Sequence, residues 1–284
     1  MWRASFDKWH PMVPVAYSAG IIALAMFGIC PSCVGVSLAG GLLFLLLTQG
    51  VRAALAKLRW QLPLLLLICL INPLYSAMGS TLLCKVGPFR VYTESLAYGA
   101  VMGALLVSVL LWFEAAASVV GQDEVMELGG TLLPSVTLAV SMVMRLVPQL
   151  VRRARDARTV AEVTVGRRHG MNEALRILGV LLAWSLEDSV ERSDSMRARG
   201  WGAGVRRHVY RSHLVRRRDV QALLLLILLF ALSAFGVSRT LLGWRFYPRM
   251  QGTASPALLA PYVLLVLLPS LALLADRLGG KERP

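Results

Sequence analysis

The apolar residues of this chain are gathered into long blocks rather than scattered at helical or strand spacing. Only helices and closed barrels satisfy their backbone polar groups inside hydrocarbon, and a spanning helix needs roughly 17 to 25 apolar residues. The chain is therefore predicted to be an all-α integral membrane protein of about six transmembrane helices. The predicted spans cover residues 12–27, 34–49, 62–77, 95–119, 220–237 and 256–275.

The basic residues are concentrated between the fourth and fifth blocks. Residues 145–218 hold 17 arginines and 7 acidic residues, so they carry +10 of the formal net charge of +14. An excess of positive charge beside membrane segments marks the cytoplasmic side. Three regions follow: a four-span membrane region over 1–119, a cytoplasmic domain of two long helices over 120–218, and two C-terminal spans with a short tail over 219–284. Six spans would place both termini in the cytoplasm.

Prolines and glycines predict local geometry within the spans. Pro63 is tolerable at the start of the third span, whereas Pro73 should end or kink it. Gly99 and Gly103, four residues apart in the fourth span, would let another helix approach closely. One such pair is at least as often a chance spacing.

The first long cytoplasmic helix follows a short acidic helix. The acidic helix begins at Gln122 and is predicted to break at Gly129-Gly130. The apolar stretch over 132–150 then contains Arg145 and Pro148, and the proline removes a backbone hydrogen bond and bends the helix. Arg145 and Pro148 therefore mark a predicted hinge, beyond which the helix is polar and basic.

The second long helix begins near Asn172, after a turn at residues 166–170. Its first half has an apolar stripe that should pack, and its second half presents charges. It should stop at Gly200, because glycine adopts the left-handed conformation without a Cβ penalty; Arg199 would then lie near the negative end of the helix dipole. The stripe consists of Leu175, Leu178, Leu182 and Leu186.

The sequence lacks the motifs of catalysis and metal binding. Cys30-Pro31-Ser32-Cys33 has a redox spacing, but it lies in a turn between apolar segments, which favours incidental turn cysteines. No Gly-x-x-x-x-Gly-Lys-Ser/Thr phosphate loop is present, so ATP hydrolysis by this chain is not expected. The four histidines lack the paired spacing of a metal site. We therefore expect a non-enzymatic protein without cofactor or metal.

Several short stretches, in this order and spacing, resemble one known family. They are Phe6 to Pro11 before the first span, Asn72-Pro73-Leu74 at the end of the third, Leu133-Pro134 through Pro148, Glu187 to Gly202, and Tyr210 to Asp219. Together they resemble the T component of energy-coupling factor transporters, over about residues 5 to 235. In that family, this membrane subunit links a pair of ATPases to a vitamin- or metal-binding partner.

The resemblance implies a coupling subunit in the plasma (inner) membrane of a prokaryote. Its partners would be two ATP-binding cassette ATPase subunits, a substrate-binding membrane S component and the lipid bilayer, with no nucleic acid. The family's Ala-Arg-Gly motif docks its arginine into a groove on an ATPase. This role passes to Arg199, with Ala198 and Gly200 as its close-packing neighbours.

One feature of the family pattern is missing. The resemblance places a second docking arginine about nineteen residues after Arg145, but the sequence there is Val163-Thr164-Val165-Gly166. Either Arg167 or Arg168 substitutes, or the contact is made differently. The candidate second docking region is therefore Thr164, Gly166, Arg167 and Arg168.

Two other functions compete with this interpretation. An intramembrane enzyme would use Glu114 or Cys69, but the spans lack convergent polar residues. A membrane-tethered nucleic-acid binder would use the arginines of residues 145–218. Those arginines have few aromatic residues between them on which bases could stack.

Overall fold

The computed structural model describes residues 10–75, 80–86, 89–165, 170–202, 216–247, 250–252 and 255–279. Within this part, the chain forms nine helices and one pair of strands. The helices are α1 (Met12–Phe27), α2 (Pro31–Gln49), α3 (Val51–Tyr75), α4 (Thr93–Val119), α5 (Gln122–Leu132), α6 (Pro134–Val165), α7 (Met171–Ala198), α8 (Arg217–Gly243) and α9 (Pro256–Gly279). The strands are β1 (Leu82–Val86) and β2 (Phe89–Tyr92).

The chain divides into two compact units. The first, residues 1–125 with 213–284, contains α1 to α4, the strands, α8 and α9, and is called the bundle unit below. The second, residues 126–212, contains α6 and α7 and is called the helix-pair unit.

Among the described residues, six helices are long and apolar enough to cross a membrane, which indicates a multi-pass membrane protein. Five of them, α2, α3, α4, α8 and α9, overlap predicted spans. The sixth is α6, which the sequence analysis placed in the cytoplasmic domain. The number of candidate spans agrees with the prediction, but α6 is among them and α1 is not.

The remaining predicted span is α1, whose 16 residues fall just below the usual spanning length of roughly 17 residues. Helix α1 nevertheless belongs to the bundle unit, where it packs against α4 and α8. Its buried residues Pro14, Ser18, Ile21 and Ala25 recur at intervals of three and four, so one face of α1 is covered.

Helix α4 is the centre of the bundle unit and packs against α1, α2 and α3. Its residue Trp112 is 2% exposed and donates its indole N–H to the carbonyl of Ser37, 3.2 Å away. The hydroxyls of Ser37 and Ser108 lie 2.6 Å apart. A buried polar group without a partner costs about 1–3 kcal/mol, so these bonds favour one alignment of α2 on α4.

Two glycines bring α3 close to α4. A Cβ added to Gly99 would lie 2.9 Å from the Cβ of Asn72, and one added to Gly103 would lie 2.9 Å from the carbonyl oxygen of Leu65. Real Cβ atoms do not approach other atoms so closely. The predicted close approach of another helix is confirmed, and that helix is α3.

A pair of strands that the sequence analysis did not predict lies between α3 and α4. β1 and β2 pair antiparallel, with Lys85 opposite Arg90. Glu94, in the first turn of α4, accepts hydrogen bonds from the hydroxyls of Ser80 at 2.9 Å and Thr81 at 2.8 Å, which attaches the start of β1 to the helix. The available signal was a Gly-Pro dipeptide between two runs rich in apolar and β-branched residues.

The third helix begins earlier than predicted. Gly50 has a φ of +86° and separates α2 from α3, which starts at once at Val51. The prediction that Pro63 lies at a helix start is therefore wrong, because Pro63 is inside α3. Pro73 does lie close to the end of that helix, as predicted.

The predicted break at Gly129-Gly130 is also wrong, because α5 continues to Leu132. A glycine in a helix costs only about 1 kcal/mol relative to alanine, which weakens a helix without ending it. The stop comes instead before Pro134, which begins α6. A Cβ on Gly129 would lie 2.7 Å from the hydroxyl of Thr137, so this glycine lets α5 and α6 approach closely.

Cys30 and Cys33 form a disulfide at the start of α2. Both cysteines are buried, with exposures of 1% and 0%. The sequence analysis favoured incidental turn cysteines and did not predict this pairing. Cys30 is the N-cap and Pro31 begins the helix, so the first turn brings the two side chains to the same side.

Candidate functional site

The candidate docking and hinge residues all belong to the helix-pair unit. Its helices α6 and α7 are antiparallel, since Gln149 contacts Arg192 and Arg153 contacts Asp188 further along. No residue of α7 is buried, and the apolar window of α6 contains none either. The leucine stripe of α7 was expected to pack, but Leu186 is 69% exposed and Leu175 is 57% exposed.

A subset of the exposed apolar residues of each helix recurs at intervals of three and four, so each subset forms a stripe along its helix. We call these the apolar stripes. Their members are Val136, Val140, Val143, Met144, Val147 and Val151 on α6, and Met171, Leu175, Leu178, Leu182 and Leu186 on α7.

A group of polar side chains joins the two helices near their midpoints. Nη2 of Arg192 lies 2.7 Å from Oδ2 of Asp188 and donates a hydrogen bond of 2.7 Å to Oε1 of Gln149. Nη2 of Arg153 lies 3.8 Å from Oδ1 of Asp188, and its guanidinium carbon lies 5.9 Å from the ring centre of Trp184. These five residues are called the central cluster. A single exposed ion pair contributes less than about 1 kcal/mol, but the shared partners here couple several contacts.

Helix α7 ends at Ala198 in a glycine cap. Gly200 has a φ of +82°, and its N–H donates to the carbonyl of Arg197 at 2.9 Å. The N–H of Trp201 donates to the carbonyl of Met196 at 3.0 Å. These are the two backbone bonds of a Schellman motif. The prediction that the helix stops at Gly200 is confirmed.

Arg199 occupies the C-cap position between Ala198 and Gly200, and its side chain is exposed. The capped backbone fixes the point from which the guanidinium projects. A depression of about 430 Å³ lies beside this helix end, and Arg199 is not in its wall. Residues from both helices line it, among them Met142, Val143 and Leu146 on α6 and Ser193, Met196 and Trp201 from the α7 side.

Thr164, the described member of the candidate second docking region, lies at the opposite end of the pair. Thr164 is exposed in the last turn of α6, and its hydroxyl donates to the carbonyl of Val160 at 2.8 Å. Gly166, Arg167 and Arg168 lie outside the described residues. Because Gln149 is level with Arg192 and the helices are antiparallel, Thr164 is level with Ile177. At about 1.5 Å per residue, this is roughly 33 Å from Arg199 along the pair.

The predicted hinge residues Arg145 and Pro148 lie inside α6, with exposed side chains. Pro148 has no N–H, so the carbonyl of Met144 lacks its usual helical partner. Gln149 of the central cluster follows immediately. Bending at this point stays a prediction.

No protein-family model matches this chain, and no curated protein sequence matches it significantly. The likeness to the T component therefore rests on the motifs quoted above.

The sequence analysis did not anticipate the central cluster. Asp188 and Arg192 stand four residues apart, a spacing that predicts an ion pair on a helix. Gln149 is 43 residues from Arg192. Whether Gln149 lies beside Arg192 depends on the length and path of the turn between the two helices. The sequence does not show which residues that turn brings side by side.

The residues considered for an intramembrane enzyme are not brought together. Glu114 forms an ion pair with Lys57 at 3.1 Å, a partner that the sequence analysis missed. Cys69 contacts the carbonyl of Leu96 at 3.7 Å. Because α3 and α4 are antiparallel, these two contacts lie towards opposite ends of that helix pair. In the part of the chain that the structure describes, no group of three or more His, Cys, Asp or Glu residues could hold a metal ion.

Proposed function

We propose that the protein is the transmembrane coupling subunit of an energy-coupling factor transporter. It would pass the ATP-driven motion of two partner ATPases to a separate substrate-binding membrane subunit that takes up a vitamin or a metal ion. The observation that carries the proposal is the helix-pair unit, with its exposed apolar stripes and its exposed arginine at a capped helix end. Exposed apolar surface of this extent is typical of interfaces.

Arg199 is suited to docking for three reasons. Its guanidinium presents a rigid fork of donors that matches carboxylate and carbonyl acceptors. The Schellman bonds hold its backbone, so little conformational freedom would be lost on binding. Finally, Gly200 has no side chain and open space where a Cβ would stand, so the surface of an ATPase can approach closely.

Arg199 and Thr164 lie at opposite ends of the helix pair, so the proposed docking regions would be far enough apart to serve two separate ATPases. When the ATPases close on ATP, each would displace one end. The central cluster holds α6 and α7 in register, so displacement at an end would move the pair as a body. The apolar stripes would transmit that movement to the substrate-binding subunit and the bilayer.

The first test is to purify the tagged protein from its native membrane and identify its partners. Two ABC ATPases and a small membrane protein are expected. Recovery of an unrelated complex, with none of these subunits, would contradict the proposal.

The second test is Arg199→Glu, with Arg155→Glu as a control of equal charge change at an exposed site on α6. Loss of a buried charged contact between proteins costs about 2–5 kcal/mol, which weakens docking by about 30-fold to several thousand-fold. We expect Arg199→Glu to abolish ATPase co-purification and uptake, with substrate loading of the partner retained. Normal uptake by this variant would disprove the assigned role.

A further inference from the structure

The bundle unit contains an apolar cavity of about 200 Å³ that the proposed function does not use. It lies at the end of the bundle where α1 and α8 begin and α4 finishes, the end predicted to be cytoplasmic. Leu225 and Ala272 are the exposed members of its wall, and Trp112 and Ile21 are buried members. An enclosed apolar cavity of roughly 150 Å³ stays dry and binds hydrocarbon, so this one is large enough for part of an apolar chain.

The polar groups in the wall of the cavity are already bonded within the protein. The hydroxyl of Tyr17 donates to the carbonyl of Leu265 at 3.0 Å, and the hydroxyl of Ser18 donates to the carbonyl of Pro14 at 2.8 Å. The bond of Tyr17 has a specific cause: Pro269 has no N–H, so the carbonyl of Leu265 lacks its helical donor. The indole N–H of Trp112 donates to Ser37. Among the described side chains of the wall, none is left to recognise a polar ligand.

Positive charge lies at the same end of the bundle. Helix α8 begins at Arg217, preceded by Arg216, and Arg218 stands one turn before the cavity residue Ala222, on the same helix face. The nearest described acid on this helix, Asp219, is 4% exposed and accepts the backbone N–H of Arg216 at 2.9 Å, so it serves as a helix cap. Long arginine side chains reach from apolar surroundings to the phosphate level of a bilayer.

We infer that this cavity binds one acyl chain of an anionic phospholipid of the adjacent leaflet, with the lipid phosphate near Arg217. Leu225, in the wall of the cavity, lies eight residues beyond Arg217, roughly 12 Å along α8 at about 1.5 Å per residue, a depth that an acyl chain reaches from its headgroup. Lipid binding in the cavity does not require the protein to be a coupling subunit. Either proposal can therefore be disproved while the other holds.

The test uses the full-length protein in bilayer nanodiscs containing phosphatidylglycerol with a photoactivatable group on one acyl chain. Adducts are mapped by mass spectrometry, and phosphatidylcholine with the same chain serves as the zwitterionic comparison. We expect adducts on the wall of the cavity, within residues 13–21, 112–119 and 222–226, and more from phosphatidylglycerol. In the wild-type protein, adducts found solely on outward residues of α8, such as Leu224 and Leu228, would disprove lipid binding in the cavity.

Two substitutions fill the cavity from different helices, Ala116→Trp and Ala222→Trp. Each should remove most wall adducts, whereas Ala231→Trp, on an exposed face of α8, should not. Arg217→Gln should abolish the preference for phosphatidylglycerol, and Arg239→Gln, near the other end of α8, should leave it intact. Unchanged wall adducts in both filled variants would disprove chain binding in the cavity. Equal labelling of the wild-type protein by both lipids would disprove the headgroup contact.

Discussion

At the scale of single residues, Gly200 controls the candidate docking arginine. Its φ of +82° is one that other residues adopt at a cost of about 1–2 kcal/mol. The space around a Cβ at Gly200 is open, so a substitution there would have a conformational cost and no steric one. Gly179, in the interior of α7, is equally open but has ordinary helical backbone.

These two glycines should respond in opposite directions to alanine. Gly200→Ala should loosen the helix end, because the left-handed conformation is no longer favourable, and Gly179→Ala should stabilise α7 by about 1 kcal/mol. Hydrogen exchange of the Trp201 amide, which bonds to Met196, measures the helix end directly. Gly200→Ala should also weaken ATPase docking without altering any charge. If the Trp201 amide exchanges at the same rate in the Gly200→Ala and Gly179→Ala variants, the helix cap does not depend on glycine at position 200.

At the scale of elements, the contact between α3 and α4 depends on Gly99 and Gly103. We predict that Gly103→Ala destabilises the bundle by about 1–3 kcal/mol, the usual cost of overpacking. The control is Gly35→Ala on α2, where a Cβ meets open space. The measurement is the apparent melting temperature of the detergent-solubilised protein, followed by size-exclusion chromatography after heating. If the Gly103→Ala and Gly35→Ala variants have the same melting temperature, α3 and α4 are not in close contact at Gly103.

The long elements could be predicted from the sequence because each long apolar block specifies a helix by itself. The end of α7 at Gly200 was also predictable, since a helix cap is a property of adjacent residues. Features that depend on distant partners were not, as the pairing of Gln149 with Arg192 shows. The break expected at Gly129-Gly130 failed because glycine weakens a helix without ending it, and the close approach of Thr137 on the next helix accounts for the glycine at position 129.

At the scale of the whole molecule, the position of α6 decides how many times the chain crosses the membrane. By length and composition α6 could cross a membrane, yet four arginines lie between residues 152 and 158, and Arg145 falls within its apolar stretch. Charge of this density favours the cytoplasmic surface. The short helix α1, in contrast, is packed into the bundle unit.

We predict that the amino and carboxyl termini are both cytoplasmic, as six crossings require. Fusions of a fluorescent reporter and of an alkaline phosphatase reporter to each terminus measure this, because each is active on only one side of the membrane. A crossing by α6 in addition to the six predicted spans would give seven and place the carboxyl terminus outside. Phosphatase activity at that terminus would therefore contradict the cytoplasmic position of the helix pair.

The antiparallel pair of α6 and α7 can be considered as a beam loaded at its two ends. Such a beam bends most at its midpoint, and Gln149, Arg153 and Asp188 join the two helices there. Contacts between two parallel rods oppose the sliding of one rod along the other. If the pair acts as the proposed lever, its stiffness depends on a few partly exposed polar contacts, which weaken as the salt concentration rises.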